Sequence, residues 1–211
     1  EGPHADEIVV IGGHFDHLGK APTMRDPNGP SLIHNGADDN ASGSAGVIEC
    51  ARLMSRGPAP ARSMLFMTFS AEETGLLGSK HFADQPTVPI DKIVAMLNMD
   101  MIGRMRDNVL QVGGQRTAEG LQDRLERRGI EYGFEIKDGG GGRGPSDHTS
   151  FYGKDIPVLF YFTGLHRQYH MPDDDVELIN ARDGARVAQM VVDMAYDIAS
   201  LPTRLKFTAD T

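Results

Sequence analysis

Apolar runs alternate with amphipathic stretches along the chain. The apolar runs predict strands at 7–14, 63–72, 92–100, 108–114 and 156–164, with an edge strand at 132–138. The stretches with helical spacing predict helices at 40–56, 75–84, 117–129, 146–154 and 180–200. Because strands alternate with helices and are apolar throughout, the pattern predicts an α/β sandwich around a largely parallel sheet.

Polar residues that could bind metal or transfer protons are concentrated at the ends of these predicted elements. They are His14, Asp16, Asp38, Asp39, Glu72, Glu73, Asp100, His166 and His170. All end or follow a predicted strand except Asp38 and Asp39, which precede a helix. In open α/β sheets the carboxyl ends of the strands form the ligand crevice, so we expect these side chains to converge there.

Imidazoles and carboxylates without thiolates are the ligands that zinc, manganese or cobalt prefers. The only cysteine, Cys50, lies on the apolar face of a predicted helix, where it is interpreted as a small buried hydrophobe. Asp100 stands between Met99 and Met101, and an apolar setting is costly for a carboxylate without a positive partner. More than four candidate ligands predict two ions that share a bridging carboxylate.

Composition narrows the function classes further. The chain has 211 residues, enough for one large domain, and a net charge of −9 without a basic stripe for nucleic acid or a polybasic cluster for a membrane. No apolar run approaches the ~20 residues of a spanning helix. The first predicted strand follows Glu1 almost at once, and we interpret residues 1–211 as one domain of a mature or excised chain.

Six separated segments resemble, in order, the signature blocks of the M28 family of zinc aminopeptidases. They read GGHFDHLG, NGADDNASG, FSAEETGLLGSKHF, LNMDMIGR, SDHTSF and YHMPDDD, and they cover roughly residues 8 to 180. The resemblance implies a three-layer α/β/α sandwich around a mixed, mostly parallel sheet, of the zinc-exopeptidase, phosphorylase/hydrolase-like type. It also implies a secreted or periplasmic protein that acts on peptides with a free N-terminus.

The resemblance implies a role for each candidate residue at a site with two zinc ions. The metal ligands would be His14, Asp38, Glu73, Asp100 and His170, with Asp38 bridging. Glu72 would be the general base, Asp16 would orient His14, and Tyr169 would stabilise the tetrahedral intermediate.

One departure and several alternative functions remain. The family fold usually begins with a helical segment and two strands before the first block, and here they would be missing. Alternatives within the superfamily are a carboxypeptidase and a glutaminyl cyclase that uses a single zinc. The absence of tryptophan weighs against the closed aromatic pocket of a cyclase. An inactive binding module is the alternative from another class, although such relatives lose metal ligands that this chain retains.

Overall fold

A computed structural model describes residues 2–210. The strands are β1 (His4–His14), β2 (Lys20–Ala21), β3 (Leu32–Ile33), β4 (Arg62–Phe69), β5 (Ile93–Met99), β6 (Val109–Gly113), β7 (Glu135–Asp138) and β8 (Val158–Phe162). The helices are α1 (Gly43–Met54), α2 (Leu77–Asp84), α3 (Leu121–Tyr132), α4 (His148–Tyr152) and α5 (Ala181–Ala199). A π-helical turn, Ala37–Ser42, leads into α1.

Six of the strands form one sheet in the order β4-β1-β5-β8-β6-β7. The pairs β4–β1, β1–β5, β5–β8 and β6–β7 are parallel, whereas β6 and β8 are antiparallel. The predicted mixed, mostly parallel sheet is therefore confirmed. The carboxyl ends of β4, β1, β5 and β8 consequently lie at the same edge of the sheet.

Helices cover both faces of this sheet. Alternation along β1 separates the two cores, since Val9 and Ile11 belong to one apolar cluster and Val10 to the other. The larger core lies under α1, α3 and α5, and the smaller one contains Phe82 of α2 and Phe151 of α4. All seven residues of β5 are buried, as expected for a central strand covered by helices on both faces.

The predicted elements are present with shifted boundaries. The second predicted strand ends at Phe69, so Glu72 and Glu73 lie in the turn that follows it. The helix predicted from residue 40 begins at Gly43, after the π-helical turn. The β2–β3 hairpin was not predicted. No helix among residues 2–210 has the length and apolarity needed to cross a bilayer.

Candidate metal centre

Four neighbouring strands deliver the candidate side chains to one edge of the sheet. β1 ends at His14, β4 leads into Glu72 and Glu73, and β5 leads into Asp100. The segment after β8 carries His170. Strand direction therefore accounts for the convergence that the sequence predicts.

The turn before α1 brings Asp39, and not Asp38, into this cluster. Asp39 has a non-helical backbone, with φ −106° and ψ 90°, and its bond to Asn40 is cis. The Asp38 carboxylate points elsewhere: its Oδ1 accepts hydrogen bonds from Gly103 N at 2.7 Å and Ser42 Oγ at 3.0 Å. Its Oδ2 lies 3.1 Å from His166 Nε2. The structure thus does not place Asp38 where the expectation of a bridging ligand requires it, and Asp39 lies between the two imidazoles instead.

Asp39 lies between two groups of potential ligands. In the first group, His14 Nε2 lies 3.4 Å from Asp39 Oδ1 and 3.5 Å from Asp100 Oδ1. In the second, His170 Nε2 lies 3.1 Å from Asp39 Oδ2 and 3.0 Å from Glu73 Oε2. Each oxygen of one carboxylate therefore faces a different imidazole.

The two neighbouring glutamates belong to different groups. Glu72 Oε2 lies 4.0 Å from His14 Nε2, whereas Glu73 contacts His170 and also His17, whose Nδ1 lies 2.7 Å from Glu73 Oε1. Burial and the nearby Asp100 carboxylate raise the pKa of Glu72 to about 8, although His14 opposes the shift. Burial would also raise the pKa of Glu73, but hydrogen bonds from His17 and His170 outweigh it and lower that pKa to about 2.

His14 and His170 are held in charged surroundings. Burial alone would lower the pKa of His14, but Asp100, Glu72 and Asp39 raise it to about 10. For His170 the same opposition between burial and the carboxylates of Asp39 and Glu73 gives a pKa of about 9. The imidazoles thus occupy positions where positive charge is stabilised.

Asp16 connects β1 to the glutamate turn. Its backbone carbonyl lies 3.0 Å from His14 Nδ1, while its carboxylate Oδ1 is 3.7 Å from the same nitrogen. The carboxylate also accepts hydrogen bonds from the backbone N–H groups of Glu72, at 3.1 Å, and Glu73, at 3.4 Å. Asp16 therefore contacts three members of the cluster without facing its centre.

The donor set fits metal ions. His14, Asp39 and Asp100 have ligand atoms within 4.8 Å of one another, and so do His17, Asp39 and Glu73. Within residues 2–210, the buried atoms Asp39 Oδ2 and Asp100 Oδ1 have no well-aligned hydrogen-bond donor, although the imidazoles of His170 and His14 lie 3.1 Å and 3.5 Å away. Buried carboxylates without such partners require positive charge nearby, and imidazole with carboxylate is a common zinc donor set.

The cluster forms the floor of a cleft of about 100 Å³. Its walls are mostly apolar and consist of Met101, Pro145, Phe160, Phe162, Leu165 and Tyr169. The Tyr169 ring stacks on the His170 ring at 3.8 Å, and burial and the surrounding carboxylates raise the pKa of its hydroxyl. Tyr169 is therefore a neutral hydrogen-bond donor at ordinary pH.

Three non-glycine residues at this edge have a left-handed backbone. Ala71 (φ 57°) precedes the glutamates, Met101 (φ 53°) follows Asp100, and His170 itself has φ 54°. This region costs L-residues free energy and persists where the surrounding structure imposes it, which is common at functional sites.

Two features of the site were not predicted from the sequence. One is His17, for which the only signal is the spacing His14-x-Asp16-His17. The other is a buried support behind the turn: Asp174 Oδ2 accepts hydrogen bonds from the backbone N–H groups of Asp38, at 2.9 Å, and Asp39, at 3.1 Å. The support was hidden because Asp174 is one of three consecutive aspartates.

Together, the sheet and its edge define an α/β protein with a candidate centre for two metal ions. Comparison with known proteins agrees, since residues 1–195 match the sequence profile of peptidase family M28. The chain belongs to that family.

Two relatives show how similar this chain is to individual members and how much of their length it covers. A protein named "Probable leucine aminopeptidase" from Trichophyton verrucosum is 30% identical over 206 residues, which cover 92% of this chain and 55% of that one. The chain thus spans about half the length of this relative. The crystal structure of the LapA aminopeptidase of Legionella pneumophila has a TM-score of 0.75 at 27% identity, covering 93% of this chain and 52% of that one.

The same fold also occurs in a protein named for another reaction. The glutaminyl cyclase of Porphyromonas gingivalis has a TM-score of 0.76 at 20% identity, covering 92% of this chain and 74% of that one. At this identity the likeness concerns the fold alone. The site, and not the fold, must therefore distinguish the two reactions.

Proposed function

We propose that this chain is the catalytic part of a metal-dependent aminopeptidase that removes N-terminal residues from peptides. The observation that carries the proposal is one carboxylate, Asp39, between two imidazole–carboxylate groups, with a further carboxylate, Glu72, beside them. In this proposal the shared carboxylate and its partners hold metal, and Glu72 is left to move protons.

Two zinc ions fit the donors. His14 and Asp100 would hold one ion, Glu73 and His170 the other, and Asp39 would bridge them. Such a pair of ions polarises a peptide carbonyl and lowers the pKa of water at the site. Elemental analysis of protein purified with zinc should find about two ions per chain, and a folded protein that retains none would refute the proposal.

Glu72 is the proposed general base. Its carboxylate takes a proton from the attacking water and delivers it to the leaving amine. Its burial and its raised pKa of about 8 in the metal-free chain are typical of groups that exchange protons near neutral pH. Positive charge at the site lowers this pKa again, so that the carboxylate is ionised when it acts as a base.

Tyr169 and Asp16 support this chemistry in different ways. The neutral hydroxyl of Tyr169 is proposed to donate a hydrogen bond to the oxyanion that develops on the scissile carbonyl. Asp16 holds the backbone of Glu72 and Glu73 through its carboxylate and thereby fixes their distance from His14.

The charge of the cleft favours an exopeptidase that recognises an amine. Among the described residues, the lining contains four carboxylates and no lysine or arginine. Two bound zinc ions would balance these four carboxylates, and without a lysine or arginine the lining has no fixed side-chain cation for the terminal carboxylate of a carboxypeptidase substrate. The apolar walls would accept an apolar N-terminal side chain, which agrees with the name of the leucine aminopeptidase relative.

The two neighbouring glutamates give the decisive experiment. Glu72→Gln should retain zinc and lose turnover of aminoacyl-anilides by about 10²–10⁴-fold, the usual contribution of a positioned general base. Glu73→Gln replaces an anionic ligand, so zinc affinity should fall first and excess zinc should restore part of the activity.

Controls separate these effects from nonspecific ones. The exposed Glu119 can be changed to Gln as a matched variant, which should behave like the wild type. Substrates with a blocked N-terminus should not be cleaved. If turnover is unchanged in both site variants, the reaction lies elsewhere, and cyclisation of N-terminal glutamine with only one zinc per chain would favour the cyclase.

A further inference from the structure

One largely buried histidine at the candidate centre has no part in the proposed reaction. His17 lies in the segment after β1, and its side chain is 9% exposed. Its Nδ1 lies 2.7 Å from Glu73 Oε1 and 3.7 Å from Asp39 Oδ2. A largely buried histidine this close to two proposed metal ligands has one of two roles: it binds the ion itself or it orients a residue that does.

The contacts of Glu73 distinguish these roles. Its two oxygens are divided between two imidazoles, with Oε1 near His17 at 2.7 Å and Oε2 near His170 at 3.0 Å. His170 also lies nearer than His17 to Asp39 Oδ2, at 3.1 Å against 3.7 Å. His170 is therefore the imidazole close to both carboxylates, those of Asp39 and Glu73. His17 instead contacts Glu73 Oε1, the oxygen that faces away from His170.

The ring of His17 is held by its surroundings. It makes an edge contact with the His170 ring, with centroids 5.8 Å apart. Gly36, with φ 63°, lies directly against it, and a Cβ atom at that position would be 2.6 Å from His17 Cγ. Gly36 immediately precedes the turn that carries Asp39. His17 thus packs against this turn and also contacts Glu73, so it lies next to both carboxylates that face His170.

We propose that His17 is a positioning residue for Glu73, an inference that rests on the proposed two-metal function. Its Nδ1–H donates to Glu73 Oε1, which fixes the carboxylate so that Oε2 faces the ion position beside His170. Residues that hydrogen-bond to metal ligands orient them, and their loss commonly weakens metal binding by about 10–100-fold.

Zinc titration of three His17 variants tests the role of the Nδ1–H group. The amide nitrogen of asparagine occupies nearly the place of Nδ1, whereas that of glutamine reaches the place of Nε2. His17→Ala and His17→Gln should therefore weaken one of the two zinc sites by about 10–100-fold. His17→Asn should restore most of the affinity, because it retains the donor.

The neighbouring His34 supplies the matched control. It is also buried, its ring lies 6.3 Å from that of His17, and its Nδ1 contacts the carbonyl of Leu32 rather than a carboxylate. His34→Asn should bind zinc like the wild type. Thermal unfolding of each metal-free variant shows whether the fold is retained.

The outcomes separate this inference from the proposed function. Weak binding by His17→Ala with recovery in His17→Asn supports the positioning role. Wild-type affinity in His17→Ala overturns it, and so does weak binding by His17→Asn, which would make His17 a ligand. Loss in His34→Asn equal to that in His17→Ala would attribute the effect to loop packing and overturn it too. A wild-type protein that binds no zinc would refute the proposed function and this inference together.

Discussion

The same substitution should affect metal binding at Asp39 and folding stability at Asp38, although the two residues are adjacent. Changing either one to asparagine preserves its size and removes one negative charge. Asp39 faces His14 and His170, whereas Asp38 accepts hydrogen bonds from Gly103 N and Ser42 Oγ. Asp39→Asn should therefore lose metal, and Asp38→Asn should lose stability.

The stability loss of Asp38→Asn follows from its contacts. Hydrogen bonds to a charged group contribute about 1.5–3 kcal/mol each, and neutral ones about 0.5–1.5 kcal/mol. Two accepted bonds that lose their charge assistance therefore reduce the free energy of unfolding by about 2–3 kcal/mol. For a chain of this size this corresponds to a fall in Tm of about 4–12 °C.

Asp39→Asn should leave the metal-free chain nearly as stable as the wild type. Burial and repulsion from Asp100 and Glu73 raise the pKa of Asp39 even though a hydrogen bond with His170 opposes the shift, so the loss of its negative charge should cost the metal-free chain little. Zinc affinity should fall by more than the ~100-fold that marks the loss of a residue that merely orients a ligand. Because Asp39 faces both groups, the affinity should fall for both ions.

The assay combines thermal unfolding of the metal-free variants with zinc titration against a competing chelator. The exposed Asp173 provides a control of the same charge, and Asp173→Asn should change neither quantity. If Asp38→Asn loses both ions while Asp39→Asn retains them, the assignment is reversed. If both variants bind zinc like the wild type, the turn before α1 carries no ligand and the assignment of Asp39 as a metal ligand is wrong.

Three further results are expected from the same geometry. Tyr169→Phe should retain zinc and lower kcat by about 10²–10³-fold, the usual effect of removing one oxyanion donor, and unchanged kcat would exclude this role. At pH 7 zinc loading should release on the order of three protons. His14 and His170 have pKa values of about 10 and 9 in the metal-free chain and must be neutral to bind metal, and Glu72, with a pKa of about 8, becomes ionised. Calorimetry in buffers of different ionisation enthalpy measures this release, and zinc affinity should rise as the pH approaches these values. Phe162→Ala should reduce kcat/KM for leucine anilide more than for alanine anilide. An equal reduction would show that Phe162 does not select the N-terminal side chain.

Much of the fold was predictable because apolar periodicity and strand ends are local properties of the sequence. Residues at the ends of central strands, such as His14 and Asp100, were placed at the correct edge for this reason. The antiparallel pairing of β6 with β8 was not predictable, because an apolar run has the same pattern in either direction. The order of strands in the sheet depends on long-range contacts that a single sequence does not contain.

The site residues were less predictable where two acids are adjacent. Nothing in the letters Asp38-Asp39-Asn40 indicates which carboxylate faces the strand ends, because the answer depends on the non-helical backbone of Asp39 and Asn40. Loop histidines pose the same difficulty. His17 has no apolar or periodic context, and its closeness to Glu73 arises only when β1 and β4 pair.

The adjacent acids show how one short segment can serve both stability and chemistry. Asp38 and Asp174 are completely buried, yet they accept hydrogen bonds from backbone N–H groups, and Arg104 Nη1 lies 3.7 Å from Asp174. Their negative charges are thus compensated within the protein. Asp39 instead lies among other carboxylates, and its two oxygens face the imidazoles of His14, at 3.4 Å, and His170, at 3.1 Å. Since unpaired buried charge is costly, the fold compensates the acids that shape the turn with backbone N–H groups. It leaves Asp39 to pair with protonated imidazoles or, once those imidazoles are neutral ligands, with bound cations.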